Sequence, residues 1–341
     1  MTEQYMPLLA ESYTAYGKKS IYRSWLRQMR QSVIIDADAS LLSAIFHRLL
    51  QSLDSHVLWA LFRASNPEIL SGIVLPYENI AVIGQPRNWN YRPNNTITHT
   101  LVVPGHPQNN EEIVGQKVPQ SIYRHLFIAK EYLRDLEILW TGVQSLRRQI
   151  DVLEHELIHS LDLSAPFYRT STAETYHAFH SSLTSHGPFS VASATALVKI
   201  KRTLITSPPG SPISSMLKRV AQKASRMGHR VLLLHCGLDP SHIDHIYFPD
   251  LSWLVSHNLA PHSQVPTPYD HVIDLTDGFT ADRTHLLPKI EKFLYLYADA
   301  YNQAWEDFSH LSDPCGRQSD PAEIEFWTQQ ILALDPFKNM T

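Results

Sequence analysis

The stretch LITSPPGSPISSMLKRV, from Leu204 to Val220, decides the fold that this sequence predicts. It begins in the apolar run Thr203-Leu204-Ile205, which favours a buried strand. The prolines and glycine at 208–212 then predict a loop. The residues SSMLKRVAQKASRM predict a helix that ends at Gly228, a natural C-cap residue. A strand, a short loop and a helix in this order are typical of an α/β unit.

Further apolar runs follow this helix and predict the rest of a sheet. They are RVLLLH (230–235), WLVSH (253–257) and HVIDL (271–275). Continuous apolar runs that alternate with helices are typical of parallel strands buried on both faces. The second half of the chain is therefore predicted to be α/β, with a parallel sheet.

The chain also resembles itself when it is shifted by 173 residues or, near the start of each half, by 170. The larger shift places GIVLPYENIAVIG (72–84) on HIYFPDLSWLVSH (245–257), and the smaller places SVIID (32–36) on RTLIT (202–206). Matches in a common register over a whole half indicate a repeat. The sequence predicts two copies of one domain, residues 1–169 and 170–341.

Each copy is predicted to close with long helices. From Ile122 to Leu161, apolar residues recur at spacings of three and four, with Gly142 as a break. This pattern predicts two amphipathic helices. They would either pack on their own sheet or form an arm that binds a protein partner, and the second alternative describes a helix-mediated interaction protein.

The loop after Thr206 occupies the place of a phosphate-binding P-loop, whose pattern is G-x-x-x-x-G-K-[ST]. Ser207 replaces the first glycine, Pro212 the second and Ile213 the lysine. Pro212 removes an amide donor, and Ile213 removes a charge-assisted contact worth about 1.5–3 kcal/mol. The helix N-terminus could still attract an anion weakly. The candidate nucleotide-binding residues are Ser207, Pro209, Gly210, Ser211, Ser214 and Ser215.

The matching loop of the first copy contains Asp36 and Asp38. Two carboxylates at this place would repel phosphate, so the first copy is predicted to lack a P-loop and to be the poorer nucleotide site.

These features resemble the bacterial tandem P-loop ATPases related to nucleotide kinases. The runs that carry the resemblance are HAFHSSLTSHGPFSVAS (177–193), SPPGSPISSMLKR (207–219) and HRVLLLHCGLDPSHIDHIYFPDLSWLVSHNLAPH (229–262). In that family an aspartate ends the strand before an A-P-H tripeptide. Ala260-Pro261-His262 matches the tripeptide, but His257 stands in place of the aspartate, and Gly84 does so in the first copy.

The resemblance implies two P-loop NTPase-like domains with long closing helices, and ATP with Mg²⁺ as the ancestral ligand. The departures from the family pattern predict a degenerate member with weak or no ATP hydrolysis and a regulatory or scaffolding role.

Four polar residues follow predicted strands of the second copy and are expected to form the rim of a pocket: His235, Cys236, Asp239 and His262. The carboxyl ends of parallel strands line the ligand crevice of an open α/β sheet. The alternative is a tight turn around a buried cysteine.

A competing motif is H-E-x-x-H at His155–His159, which suggests a zinc metallopeptidase with Glu156 as general base. Glu174 is the candidate third ligand, and His177 and His180 are others. This composition gives the bare motif by chance about one time in twenty.

Two further observations oppose zinc. The apolar stripe Ile150, Leu153, Leu157 lies opposite the two histidines of the motif, which would therefore face solvent. Their counterparts in the second copy are Thr328 and Leu332.

Composition limits the remaining classes. The 341 residues carry 29 basic and 33 acidic side chains, a net charge of −4, which does not favour nucleic acid. The two cysteines, Cys236 and Cys315, suit a reducing compartment. With no long apolar run and no signal-like N-terminus, the sequence predicts a cytoplasmic protein without a membrane segment.

Overall fold

The computed structural model describes residues 5–53, 56–84, 97–103, 118–164, 173–191, 195, 199–260, 262–276, 285–311, 320–335 and 337. Pro261 and Cys315 lie outside the described residues. The chain forms two compact units. Unit 1 comprises Met1–Glu11, Ser20–Val118 and His310–Thr341, and unit 2 comprises Ser12–Lys19 and Pro119–Ser309.

The elements follow one order twice. The first series is β1 (Tyr5–Leu9), β2 (Glu11–Thr14), β3 (Gly17–Ser20), α1 (Tyr22–Gln28), β4 (Gln31–Asp36), α2 (Ala39–Ser52), β5 (Leu58–Phe62), β6 (Leu70–Leu75), β7 (Ile80–Gly84), β8 (Ile97–Val102), α3 (Gln120–Thr141) and α4 (Gln144–Leu163). The second is β9 (Thr175–Phe179), β10 (Ser181–Thr184), β11 (Gly187–Ser190), β12 (Lys201–Thr206), α5 (Ile213–Arg226), β13 (Val231–His235), β14 (Ile243–Phe248), β15 (Trp253–His257), β16 (His271–Asp274), α6 (Leu287–Ser309) and α7 (Pro321–Leu332).

Both units are α/β and contain a mostly parallel arrangement of strands. Unit 1 has the strand order β1-β5-β6-β7-β4-β8, and unit 2 has the order β9-β13-β14-β15-β12-β16. The α/β class predicted from the apolar runs is thus confirmed.

The predicted parallel sheet is confirmed as a mostly parallel one, and one strand of each unit runs antiparallel. β6 runs antiparallel to β5 and β7, and β14 runs antiparallel to β13 and β15. The connection from β6 to β7 is the turn at 76–79, and a 3₁₀ turn at Pro249–Leu251 connects β14 to β15. Connections this short can join only antiparallel neighbours, because a parallel crossover needs a dozen or more residues.

Strand pairing places corresponding residues of the units at the offsets found in the sequence. Ile35 pairs with Gly84 in unit 1, and Ile205 pairs with His257 in unit 2. The first members differ by 170 residues and the second by 173. A β-bulge also recurs, after Leu61 in unit 1 and after Leu234 in unit 2.

The predicted helices are confirmed. α3 ends at the Gly142 cap and α4 follows it directly. α5 ends before Gly228, which has a positive φ of 91°. None of the helices in the described part of the chain is long and apolar enough to cross a membrane.

The last helix of each half of the chain packs in the unit formed mainly by the other half. α4 lies in unit 2, where its apolar stripe packs against α5, whereas α7 lies in unit 1 and packs against α2. The two units therefore differ from the segments 1–169 and 170–341. The physical reason is that an apolar stripe specifies burial, and the sheet that covers it need not be the one that precedes it in the chain.

Candidate functional site

A cavity of about 410 Å³ lies in unit 2, where β12, β13 and β15 end and α5 begins. Because β14 is antiparallel to its neighbours, its first residues reach the same edge of the sheet. The lining combines apolar and polar side chains; its polar members include Glu137, His180, Ser211, Ser214, His242, Asp244, His257, His262, Tyr297, Tyr301 and Asn302.

The loop before α5 is closed by its own hydrogen bonds. The Ser211 amide donates to the Pro208 carbonyl (3.0 Å), and the Ile213 amide donates to the Ser211 carbonyl (2.8 Å). Pro212, the N-cap of α5, has no amide hydrogen to offer. In a working P-loop these backbone amides surround phosphate. In this loop, the amides of residues 211 and 213 are already used.

Helix α3 packs closely over this loop. Gly210 has a φ of 80°, and a Cβ at this position would lie 2.5 Å from the Leu136 Cβ. The Trp140 indole also donates to the Pro209 carbonyl (2.7 Å). Only glycine fits at residue 210, because both the backbone conformation and the contact with α3 exclude a side chain.

The structure brings together four of the six predicted nucleotide-binding residues. Pro209, Gly210, Ser211 and Ser214 line the cavity, but Ser207 and Ser215 do not. The Ser207 Oγ lies 2.8 Å from the His257 Nε2, and Ser215 lines a separate groove between α4 and α5. The Ser214 hydroxyl accepts a hydrogen bond from the Ile243 amide (2.8 Å), so it fixes the start of β14.

Asp244 occupies the β-bulge of unit 2. Leu234 pairs with His245 and His235 pairs with Ile243, which leaves Asp244 without a partner on β13. The bulge turns this residue toward the cavity that it lines. Its Oδ2 lies 2.7 Å from the Nε2 of His180, and its side chain remains 22% exposed.

Asp244 is ionised at neutral pH. Burial raises its pKa, but the hydrogen bond from His180 opposes burial, and the pKa lies well below the usual range.

Three histidines beside this carboxylate are neutral at pH 7, because burial disfavours their charged form. Burial lowers the pKa of His257 to about 4. Burial, with the field of His180, lowers the pKa of His262 to about 3. Burial also holds the pKa of His245 well below its ordinary value.

Hydrogen bonds connect this cluster to a buried ion pair. The His245 Nδ1 lies 2.7 Å from the Ser256 hydroxyl, which accepts from the Gln264 amide (2.8 Å). Gln264 in turn accepts from Arg202, whose guanidinium donates to Asp270. The Nε2 of His245 is buried without a hydrogen-bond partner. The ring centroids of His245 and His180 lie 4.2 Å apart.

The predicted rim is assembled in part. Cys236 and His262 line the cavity, whereas His235 and Asp239 do not. His235 bonds the Pro240 carbonyl through Nδ1 (2.6 Å), and its Nε2 lies 2.8 Å from the Nδ1 of His177. Asp239 caps the turn through the Ser241 amide. Burial raises the pKa of the Cys236 thiol well above its ordinary value, so the thiol is protonated.

The H-E-x-x-H motif lies on the exposed face of α4. His155, Glu156 and His159 are exposed, while Leu153 and Leu157 are buried. The proposed third ligand, Glu174, accepts a hydrogen bond from the Tyr176 hydroxyl (2.5 Å). Among the residues that the structure describes, no group of three or more His, Cys, Asp or Glu side chains is arranged to hold a metal ion.

Sequence reasoning singled out His257 and His262 but missed Asp244, His242 and the α6 residues Tyr297, Tyr301 and Asn302. The only available signal was the density of histidines from 235 to 262, in which Asp244 lies between His242 and His245. A bulge leaves no mark in the sequence, and α6 is far along the chain from the loop that it faces.

Comparisons of this chain with known protein families, with curated proteins and with solved structures found no match.

Proposed function

We propose that this protein is a degenerate P-loop NTPase-like protein that has weak or no ATP hydrolysis and serves a regulatory or scaffolding role. The observation that carries the proposal is the loop at 207–215. It stands between strand β12 and helix α5, as a phosphate-binding loop does, yet the Ser211 and Ile213 amides bond within the loop. Gly210 is also covered by α3.

The charge of the cavity supports the same proposal. No Lys or Arg occurs among the described residues that line it. Asp244 is ionised there, and Glu137 also contributes to the lining. Tight binding of a triphosphate requires cationic side chains or a metal ion. A carboxylate in the lining of the cavity repels phosphate instead.

The matching strand orders support descent of both units from one ancestor by duplication. We infer that unit 1 lost its phosphate site as well. Its Asp38 caps α2, and the carboxylate accepts from the amides of Ser40 and Leu41 at 3.0 and 2.9 Å. The side chain thus occupies amides that an anionic ligand would need. The cytoplasmic location, and a protein partner bound through the closing helices, stay predictions from the sequence.

The test is calorimetric titration with ATP and Mg²⁺, together with a phosphate-release assay. We expect no saturable heat below about 1 mM ATP, the upper end of ordinary enzyme affinities, and no phosphate release above background. Micromolar affinity with turnover would disprove the proposal.

Asp244→Asn is the control variant for this test. If the carboxylate alone excluded ATP, this variant would gain ATP binding. If the closed loop is responsible, the variant stays unable to bind ATP, and that is the result we expect.

A further inference from the structure

The cavity of unit 2 combines an apolar body with a charged end. Leu133, Leu259 and Leu294 contribute apolar wall, and the helix α6 adds Tyr297 and Tyr301. Burial raises the pKa of both tyrosines, so their hydroxyls are neutral. A volume of about 410 Å³ is within the range of small-molecule pockets, which runs from about 300 to 1,000 Å³.

The charged end of the cavity is Asp244. The Asp244 Oδ2 lies 2.7 Å from the His180 Nε2, and the His180 Nδ1 lies 3.3 Å from the Ser190 hydroxyl. The contact with His180 orients the carboxylate. The Cys236 thiol also bonds the carboxylate without changing its charge.

The other groups around Asp244 do not neutralise it. Burial keeps His257, His262 and His245 uncharged at pH 7. Glu137 lies 3.4 Å from His242, and this hydrogen bond raises the pKa of the histidine. The described lining residues include the carboxylates of Asp244 and Glu137 and no Lys or Arg.

Two carboxylates, Asp244 and Glu137, line a cavity whose remaining wall is largely apolar, and such carboxylates attract a cation. We propose that this cavity binds a small organic cation, an ammonium or amidinium group on an apolar or aromatic body, with Asp244 as its counter-ion. This inference rests on the proposed loss of triphosphate binding at the same edge of the sheet. The tyrosines and leucines would contact the apolar body, and aromatic faces favour a cation nearby.

The test uses three probes of one shape: 2-phenylethylamine, 2-phenylethanol and 3-phenylpropionate. Their binding is measured by protein-observed NMR or calorimetry at pH 7.5 and low salt. We expect the amine to bind at least about tenfold more tightly than the alcohol, as charge-assisted hydrogen bonds predict, and the carboxylate not to bind. Equal or weaker binding of the amine relative to either other probe would overturn the inference.

Two variants locate the effect. Asp244→Asn should remove the preference for the amine and leave the affinity for the alcohol unchanged, whereas the matched Asp239→Asn change, at a buried carboxylate outside the lining, should preserve it. Ala298→Trp places a large side chain in the cavity from the surface of α6 and should abolish binding of both probes. Binding that persists in Ala298→Trp, or a preference that survives in Asp244→Asn, would contradict the inference.

The two proposals fail separately in these experiments. ATP binding with turnover disproves the proposed function whatever the amine does. An amine that shows no preference in a protein that also ignores ATP disproves only the cation site.

Discussion

The two units have the same strand order, but corresponding positions at the carboxyl edge of the sheet carry opposite chemistry. Unit 2 places His180, Asp244, His245 and His257 there, and unit 1 has Ala10, Ser71, Gly72 and Gly84 at the corresponding positions. The shared bulge and the strand ends establish this correspondence. Matching hydrogen bonds do so as well, because the Ile21 amide donates to the Ala10 carbonyl and the Val191 amide donates to the His180 carbonyl. The fold forms with small, uncharged residues at all four positions.

At two of these positions, unit 1 has a glycine whose neighbours leave no room for a side chain. A Cβ added at Gly84 would lie 2.8 Å from the Leu42 Cδ1, and one added at Gly72 would lie 2.9 Å from the Val82 carbonyl oxygen. Burial of several imidazoles and a carboxylate destabilises a fold unless the contacts compensate. Because unit 1 folds without them, the fold itself does not require this cluster, which agrees with the cation site proposed above.

The largest expected difference between the units is their response to acid. The pKa values of His257 and His235 are lowered to about 4, and that of His262 to about 3, chiefly by burial. An unfolded chain takes up these protons near pH 6.5. The free energy of unfolding is therefore highest above pH 6.5. It decreases as the pH drops toward 4, by up to about 3 kcal/mol for His257 alone.

Hydrogen exchange at pH 7 and pH 4.5 measures this difference unit by unit. Opening of β12 and β15 should become easier at the lower pH, while β4 and β7 change little. His257→Gln should remove part of the effect. His242 acts in the opposite sense, because the hydrogen bond to Glu137 raises its pKa. Its contribution therefore offsets part of the loss of stability in acid. An equal response of both units would show that the buried imidazoles do not set the acid sensitivity.

A smaller effect tests whether Ser214, in the loop that we propose to be a degenerate P-loop, is structural. The Ser214 hydroxyl accepts from the Ile243 amide at 2.8 Å, and in unit 1 the Ser43 hydroxyl accepts from the Leu70 amide at 3.1 Å. Ser214→Ala should lower the free energy of unfolding by about 1–3 kcal/mol, since a buried amide loses its acceptor, and Ser43→Ala by about 1 kcal/mol.

Urea denaturation of the two variants, with and without ATP and Mg²⁺, makes the comparison. We expect ATP to leave both midpoints unchanged. A midpoint that rises with ATP in the wild type but not in Ser214→Ala would assign this hydroxyl to nucleotide binding, and the likeness to Ser43 would then be superficial.

The sequence predicted the element types because apolar runs and helix caps are local signals. The runs at 33–35 and 203–205 are β4 and β12, and Gly142 and Gly228 lie at helix ends, as predicted. Antiparallel β6 and β14 were missed, because strand direction depends on the length of the turn that follows. The grouping of α4 with α5 was also missed, because amphipathicity does not identify the partner surface.

The candidate site was predicted in part, at its loop and at the rim residues Cys236 and His262. The departures of Ser207, Pro212 and Ile213 from the P-loop pattern are readable in the sequence. The role of Asp244 depends on a bulge and on His180, a residue 64 positions away. Such long-range placement is a property of the folded chain.

The smallest expected effect concerns the histidines that a motif search would choose first. His155 and His159 lie exposed on α4, whereas His180 and His257 are buried in the cluster. Exposed side chains away from special contacts change stability by less than about 0.5 kcal/mol when replaced. The double variant His155→Ala, His159→Ala should therefore unfold at the wild-type urea midpoint. Metal analysis of both purified proteins should find no stoichiometric zinc. A zinc ion lost in the variant, together with a lower midpoint, would assign the metal to α4 and restore the peptidase hypothesis.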